Sequence, residues 1–170
     1  ISKAYPIKRL SYTEAMELCN FGARAIFPPT LYPASSENIP IHICNISAPE
    51  AEGTVISNER DANDKTIKGI SSISDTALLS IQGMGLLNVP SVNGRIFSAL
   101  AANDIRTLFV SQASSGSSIS VGVKAEDANN AVELLNREFA REKTQGALSA
   151  IVAQKELSII AIVGDNMKQN

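Results

Sequence analysis

The sequence predicts an α+β protein whose larger part follows the ferredoxin-like plan, with two helices packed on one face of a four-stranded antiparallel sheet. Two observations support this class. The strand and helix patterns after residue 75 follow the order β-α-β-β-α-β, and the second and third strands flank a turn typical of a hairpin. With 170 residues, 44% of them apolar, the chain is long enough to bury one or two cores.

Within this part, each element has its own signal. Pro90 suits the first position of a helix whose apolar stripe ends at Leu100. The turn Ala113–Gly116 joins two strands, and from Ala128 to Phe139 apolar residues recur at helical spacing. A fifth strand is left over and should belong to another sheet. The predicted strands are 76–82, 105–111, 117–123, 148–153 and 157–163.

The first third has a different αβ character. Ser11 and Glu14 form a capping box, which predicts a helix that begins there and whose apolar face continues until Pro28 and Pro29 end it. Two short strands are predicted at 39–44 and 53–56. The polar, aperiodic segment 57–66 has the composition of a linker between domains.

Composition excludes several classes of function. The net charge is −2, no basic stripe is present and Trp is absent, so we expect no nucleic-acid partner. No apolar run approaches the ~20 residues that span a bilayer, and the first residues lack the order of a signal peptide, so we expect a soluble, cytoplasmic chain without a membrane partner.

Cys19 and Cys44 match no metal or redox spacing and are expected to be buried free thiols. Because the chain starts without Met and stops after an apolar strand, we expect it to be part of a longer polypeptide.

No catalytic constellation is visible, since His42 stands alone and Gly83-Met84-Gly85 lacks the rest of a nucleotide-binding motif. The same glycine turn does lead into a helix N-terminus, where backbone amides favour a carboxylate. The polar segment 111–114 follows a neighbouring strand and offers an amide and hydroxyls that both donate and accept. Spacing alone leaves two interpretations open, a ligand site or ordinary loop residues, and favours the second for Gly85, Asn88 and Gln112.

Two sets of residues resemble a known family, the aspartate kinases. The first set is similar to the closing segment of the kinase catalytic domain, and the second to the first of the family's ACT modules, with an extension to the opening strand of the second module. The first set is Leu10-Ser11-Tyr12, Glu14-Ala15, Phe21-Gly22-Ala23-Arg24, Pro28, Thr30, Asn38-Ile39-Pro40-Ile41, Asn45, Pro49 and Gly53-Thr54. The second is Ile67-Lys68-Gly69-Ile70, Gly83-Met84, Val89-Pro90, Gly94 to Leu100, Ser111 to Ser115, Ser118-Ile119-Ser120, Glu138-Phe139 and Ile159 to Met167.

The resemblance implies a regulatory segment that binds an amino-acid effector between ACT modules. The form with Gln112 to Ser115 is most similar to bifunctional aspartokinase/homoserine dehydrogenases, which implies threonine as effector, with lysine as the alternative. Gln112 then faces the effector, and the segment 83–90 forms the other wall. Arg24 stands where the family's Lys meets the nucleotide phosphate, but with a forked guanidinium. The implied effector residues are Gly85, Asn88, Val89, Pro90, Arg106, Thr107, Leu108, Gln112, Ala113 and Ser114.

The implied domain organisation is a kinase remnant at 1–56, a linker at 57–66, a first ACT module at 67–153 and the opening strand of a second module at 154–170. The catalytic residues of the family lie in sequence that this chain lacks, so the chain by itself should be inactive. ATP and Mg²⁺ are implied for the complete kinase, and NADP if a homoserine dehydrogenase domain follows. A homodimer through the ACT modules is implied as well, and assembly without any ligand is the alternative role.

Overall fold

A computed structural model describes residues 5–59, 66–86 and 89–164. The described residues form two compact units. The first unit takes in residues up to Ile73 together with those from Ile159, and the second is Ser74–Ser158. In chain order, the helices and strands are β1 (Arg9–Leu10), α1 (Tyr12–Asn20), α2 (Leu31–Ser36), β2 (Ile41–Ile43), β3 (Thr54–Ile56), β4 (Gly69–Gln82), α3 (Val92–Ala101), β5 (Phe109–Gln112), β6 (Ser118–Lys124), α4 (Ala128–Glu138), α5 (Ala140–Thr144) and β7 (Ala150–Val163).

The second unit confirms the predicted fold class. Its sheet has the strand order β5-β6-β4-β7, and β6 pairs antiparallel with both β4 and β5. Alternate residues of these strands face α3 and α4, which pack against each other, so one side of the sheet carries the core. The largest fully buried side chains of this core are Phe139, Leu79, Ile81, Leu86, Ile96, Leu100, Ile119, Leu135, Leu148 and Val121.

The first unit is a small αβ arrangement. In its sheet β3 lies between β1, which runs parallel to it, and β2, which runs antiparallel. The predicted capping box is present: Ser11 Oγ accepts from the Glu14 amide at 3.1 Å, and Glu14 Oε2 accepts from the Ser11 amide at 2.8 Å. The core of this unit consists of Leu10, Tyr12, Ala15, Leu18, Leu31, Ile56 and Val163.

Two element boundaries in the helices differ from the prediction. Helix α1 ends at Asn20 rather than at the prolines, because Phe21 leaves the helical region and Gly22 adopts a φ of +107°. Helix α3 begins at Val92 and not at Pro90, because Ser91 takes a left-handed conformation at the N-cap, with φ of 52°. The end of α1 is therefore set by the backbone conformations of Phe21 and Gly22, and the start of α3 by that of Ser91.

The strands predicted at 148–153 and 157–163 are a single strand, β7, which corrects the prediction of two. The intervening residues Gln154 to Glu156 are polar but contain no Gly or Pro, and the strand continues through them beside β4. Asp75 and Glu156 take φ values of 55° and 59° there, and Thr76 Oγ1 donates to the Leu157 carbonyl at 2.9 Å. Strand β4 is also longer than predicted, since it starts at Gly69.

Strands β4 and β7 both cross the division between the units. Residues 69–73 and 159–163 belong to the first unit, and the rest of each strand to the second. The domain boundaries derived from the sequence stay a prediction. Of the two thiols, Cys19 is partly buried, whereas Cys44 is exposed, so the expectation of a buried Cys44 was wrong. Among the described residues, no helix is long and apolar enough to cross a membrane.

Candidate functional site

The predicted effector residues of the second unit fall at two ends of its sheet. Gln112 is the last residue of β5, and Ala113 and Ser114 follow it. Gly85 follows β4 at the same end of the sheet, where the Gly83 amide donates to the Ser117 carbonyl at 3.1 Å. Chain connectivity and hydrogen bonds therefore bring the glycine turn and the polar strand end to one end of the sheet.

Arg106, Thr107 and Leu108 lie at the other end of β5. The Leu108 amide donates to the Gly122 carbonyl at 2.8 Å, and a rise of about 3.3 Å per residue puts Leu108 roughly 13 Å along the strand from Gln112. Arg106 is exposed. Hydrogen bonding to Glu126 raises the pKa of Lys124, and the charge of Arg106 opposes this only weakly. The structure does not bring these three residues to the end where Gln112 lies.

The glycine turn is held by close backbone packing against the segment that precedes β7. A Cβ on Gly83 would lie 2.3 Å from the Ala147 carbonyl oxygen, and a Cβ on Gly85 would lie 2.8 Å from the Ala147 Cα. The Gly85 amide also donates to the Ala147 carbonyl at 3.1 Å. Glycine at both places is thus required by close approach, which is a role independent of any ligand.

Of the remaining residues predicted on this wall, Val89 is 5% exposed and its side chain belongs to the core of the unit. Pro90 is exposed just before α3. Asn88 lies outside the described residues.

Gln112 has a partner that the sequence did not indicate. The Asn93 Nδ2 atom, in the first turn of α3, donates to Gln112 Oε1 at 3.3 Å. Both side chains are exposed, and this bond leaves the Gln112 NH₂ group available to donate to another acceptor. The hairpin turn beside it is tight, since the Gly116 amide donates to the Ala113 carbonyl at 2.7 Å.

A second feature missed by the sequence is Arg95, also on α3. Its Nε and Nη1 atoms lie 2.6 Å from Glu138 Oε1 and 2.5 Å from Glu142 Oε1, and its guanidinium stacks 4.4 Å from the centre of the Phe139 ring. Hydrogen bonding to Arg95 lowers the pKa of Glu142, and Glu142 chiefly raises that of Arg95. The sequence signal for it is limited to Glu138 and Glu142, two like charges four residues apart that a nearby cation stabilises.

The first unit holds Arg24 and an apolar cavity. Arg24 is exposed in the segment after α1. The cavity has a volume of about 380 Å³ and is lined mainly by apolar side chains, among them Leu18, Ile26 and Ile56. None of the predicted effector residues lines it. No group of three or more His, Cys, Asp or Glu side chains in the described part of the chain is placed to hold a metal ion.

Comparison with known protein families identifies the class of the second unit. Residues 79–139, within the second unit, match the model of the ACT domain family. The second unit is therefore an ACT domain with the ferredoxin-like topology described above.

Longer matches extend over almost the whole chain. The bifunctional aspartokinase/homoserine dehydrogenase of Haemophilus influenzae is 39% identical over 160 residues, which are 94% of this chain and 20% of that protein. The crystal structure of Clostridium acetobutylicum aspartate kinase superposes on 96% of this chain and 37% of its own with a TM-score of 0.80 at 22% identity. Escherichia coli aspartokinase III, in complex with lysine and aspartate, covers 96% of this chain and 35% of its own, with a TM-score of 0.71 at 23% identity.

Over nearly its whole length the chain is therefore similar to one segment of the aspartate kinases. It spans about a fifth of the length of the bifunctional relatives that it matches.

Proposed function

We propose that this chain is the regulatory region of an aspartate kinase and that its ACT domain binds an end-product amino acid for feedback inhibition. The observation that carries the proposal is that the glycine turn after β4 and the polar end of β5 lie at the same end of the sheet, on either side of β6. The N-terminus of α3, which begins at Val92, favours a carboxylate, and Gln112, bonded to Asn93 in the first turn of that helix, adds a donor beside it. An α-amino acid carries the complementary groups.

Threonine is the effector that we favour, and lysine is the alternative. Similarity to bifunctional aspartokinase/homoserine dehydrogenases supports threonine, because threonine is the effector that the resemblance of Gln112 to Ser115 and of Glu138-Phe139 to that form implies. Escherichia coli aspartokinase III has been solved with lysine and aspartate, which supports lysine as the second candidate. Binding regulates only if the effector prefers one arrangement of the protein, with a coupling of about 1–3 kcal/mol.

The activity under control would be that of the complete polypeptide. We propose that it transfers phosphate from ATP, with Mg²⁺, to L-aspartate to give 4-phospho-L-aspartate. NADP would be a further cofactor if homoserine dehydrogenase is part of the same polypeptide, and a cytoplasmic location and a homodimer through the ACT domains belong to the same proposal. Arg24 would keep a positive charge near the nucleotide phosphate, and the chain by itself would be inactive.

Calorimetric titration of the natural full-length polypeptide with L-threonine, L-lysine and D-threonine tests the effector. We expect saturable binding of L-threonine at or below millimolar concentration, no binding of D-threonine, and inhibition of phosphoryl transfer over the same concentration range. Absence of binding by both L-amino acids at millimolar concentration would refute the sensing role.

A second candidate role is assembly without a ligand, and the exposure of β5 favours it. This strand is at the edge of the sheet, all four of its residues are exposed, and Phe109 and Val110 are apolar with 36% and 45% exposure. An unpaired apolar edge is a template for pairing with a second copy. Sedimentation with and without threonine separates the roles, because a ligand-independent dimer disrupted by Val110→Lys, together with normal feedback, would favour assembly alone.

A further inference from the structure

We propose that Arg95 is a positioning residue that holds both walls of the proposed effector site in one arrangement. The identity of the ligand rests on the proposed function, whereas the geometry around Arg95 does not depend on that proposal. Arg95 is the only charged residue of α3, yet its guanidinium bonds Glu138 of α4 and Glu142 of α5, which are 43 and 47 residues further along the chain.

The guanidinium is fixed from three sides. It bonds the carboxylates of Glu138 and Glu142, donates through Nη2 to the Glu138 carbonyl at 2.6 Å, and stacks on Phe139, whose side chain is fully buried. The Glu138 carbonyl is one of the last of α4, where a cation is favoured by the helix dipole. The side chain of Arg95 is 29% exposed and that of Glu142 only 14%, so this is not a solvent-screened surface pair of the usual kind.

One path leads from Arg95 to the polar strand end. Asn93 lies two residues before Arg95 in the same helix and donates to Gln112. The N-terminal turn of α3 has no side-chain cap at Ser91, and the Arg95 side chain bonds this turn to Glu138 and Glu142. Fixing Arg95 therefore fixes the position of Asn93 relative to Gln112.

A second path leads to the glycine turn. The Glu142 carboxylate is held by Arg95, and the Glu142 carbonyl accepts from the amides of Ala147 and Leu148 at 3.0 and 3.3 Å. The Ala147 carbonyl in turn accepts from the Gly85 amide at 3.1 Å. Each step is a direct hydrogen bond or one residue of backbone, so loss of the arginine loosens the support of the Gly83–Gly85 turn.

The test compares the wild-type protein with Arg95→Met, which keeps the length of the stem but removes the fork and the charge, and with Arg95→Lys, which keeps the charge alone. The matched control is Arg137→Met, since Arg137 pairs with Glu133 at 3.6 Å on the exposed side of α4, with side chains 76% and 72% exposed. Two readouts are taken on the full-length polypeptide: threonine affinity by calorimetry and amide hydrogen exchange at Gly85 and Gln112.

We expect Arg95→Met to weaken threonine binding about tenfold or more, which corresponds to about 1.4 kcal/mol. The Gly85 amide should exchange faster, while core amides such as those of Ile119 and Val121 keep their protection. Arg95→Lys should have a threonine affinity and a Gly85 exchange rate between those of the wild type and Arg95→Met. Arg137→Met should match the wild type in both.

Unchanged affinity together with unchanged exchange at Gly85 in Arg95→Met would overturn the proposal. If Arg95→Met unfolds the second unit, Glu142→Gln decides by the same two readouts, because it removes one charge at nearly constant shape. If the wild type binds neither threonine nor lysine, the effector proposal fails by itself, and exchange at Gly85 still confirms or refutes the positioning role.

Discussion

Gly83 and Ala147 approach each other so closely that a methyl group on Gly83 would lie 2.3 Å from the Ala147 carbonyl oxygen and 2.7 Å from the Leu148 Cα. Both neighbouring atoms belong to the backbone, so neither moves aside as the end of a flexible side chain does. The contact joins the glycine turn after β4 to the segment that leads into β7.

Gly83→Ala should therefore destabilise the second unit by about 1–3 kcal/mol, the usual range for forcing extra volume into a packed site. Urea unfolding followed by hydrogen exchange of residues in that unit measures the effect. A variant with wild-type stability would show that the backbone around Gly83 can shift without a loss of unfolding free energy.

Gly94→Ala is expected to have the opposite sign. Gly94 lies in α3, and a Cβ built on it meets no atom within 4 Å. Alanine in a helix is favoured over glycine by about 0.5–1 kcal/mol, so this variant should be more stable than the wild type by that amount. The same unfolding experiment compares both glycines, and destabilisation by Gly94→Ala would contradict the open environment seen at this position.

Removal of the capping hydroxyl should weaken α1. Ser11→Ala leaves the Glu14 amide without its acceptor, which costs about 0.5–2 kcal/mol for a helix N-cap. Amide exchange over residues 12–20 should accelerate, while the second unit is unaffected. Thr13→Ala is the control, since Thr13 is exposed in the same helix turn and has no part in the capping box; equal exchange rates in both variants would argue against the cap.

The stability of the second unit should depend on pH through Glu142. Hydrogen bonding to Arg95 lowers the pKa of Glu142 below its ordinary value of 4.5. On acidification the unfolded chain is protonated first, so the stabilisation is complete above that ordinary value and is lost as the pH falls through the lower, folded-state pKa.

Urea unfolding at pH values from 7 down to 3 measures this effect. The difference in unfolding free energy between wild type and Glu142→Gln should be largest at neutral pH and shrink in acid. Glu133→Gln, at an exposed position of α4, serves as the control. A difference for Glu142→Gln that stays constant with pH would contradict the coupling to Arg95.

Gln112→Ala should abolish most of the threonine response of the full-length polypeptide, because it removes the side-chain amide from the proposed site and leaves Asn93 without its acceptor. Inhibition curves and calorimetry give the change, which we expect to exceed tenfold in affinity, or about 1.4 kcal/mol. Gln154→Ala, an exposed glutamine of β7, should leave both unchanged. Normal feedback in Gln112→Ala would point to assembly as the role of the domain.

Local patterns predicted those parts of the fold that depend on local interactions. The capping box of α1, the turn at Ala113–Gly116 and the apolar stripe of α4 all involve residues at most a few positions apart, and all three are present. The ferredoxin-like order followed from them, because only a few topologies satisfy such an order.

Features that depend on residues far apart in the chain could not be predicted from local sequence patterns. Strand β7 is continuous because it pairs with β4, more than sixty residues earlier, and no local break stands against that pairing. Arg95 finds its partners in another helix, and Asn93 meets Gln112 across the sheet end. Only the like charges of Glu138 and Glu142 carried a sequence signal for such a contact.

The passage of β4 and β7 through the division between the units has a consequence for protein engineering. Two neighbouring strands, β4 and β7, connect residues 74–158 to the first unit. A deletion of these residues would therefore start and end at adjacent positions in the sheet. Strands in one sheet lie about 4.7–4.9 Å apart, a gap that a two-residue hairpin turn closes. A chain without residues 74–158 would therefore need only a short turn between Ile73 and Ile159 to keep these two strands paired.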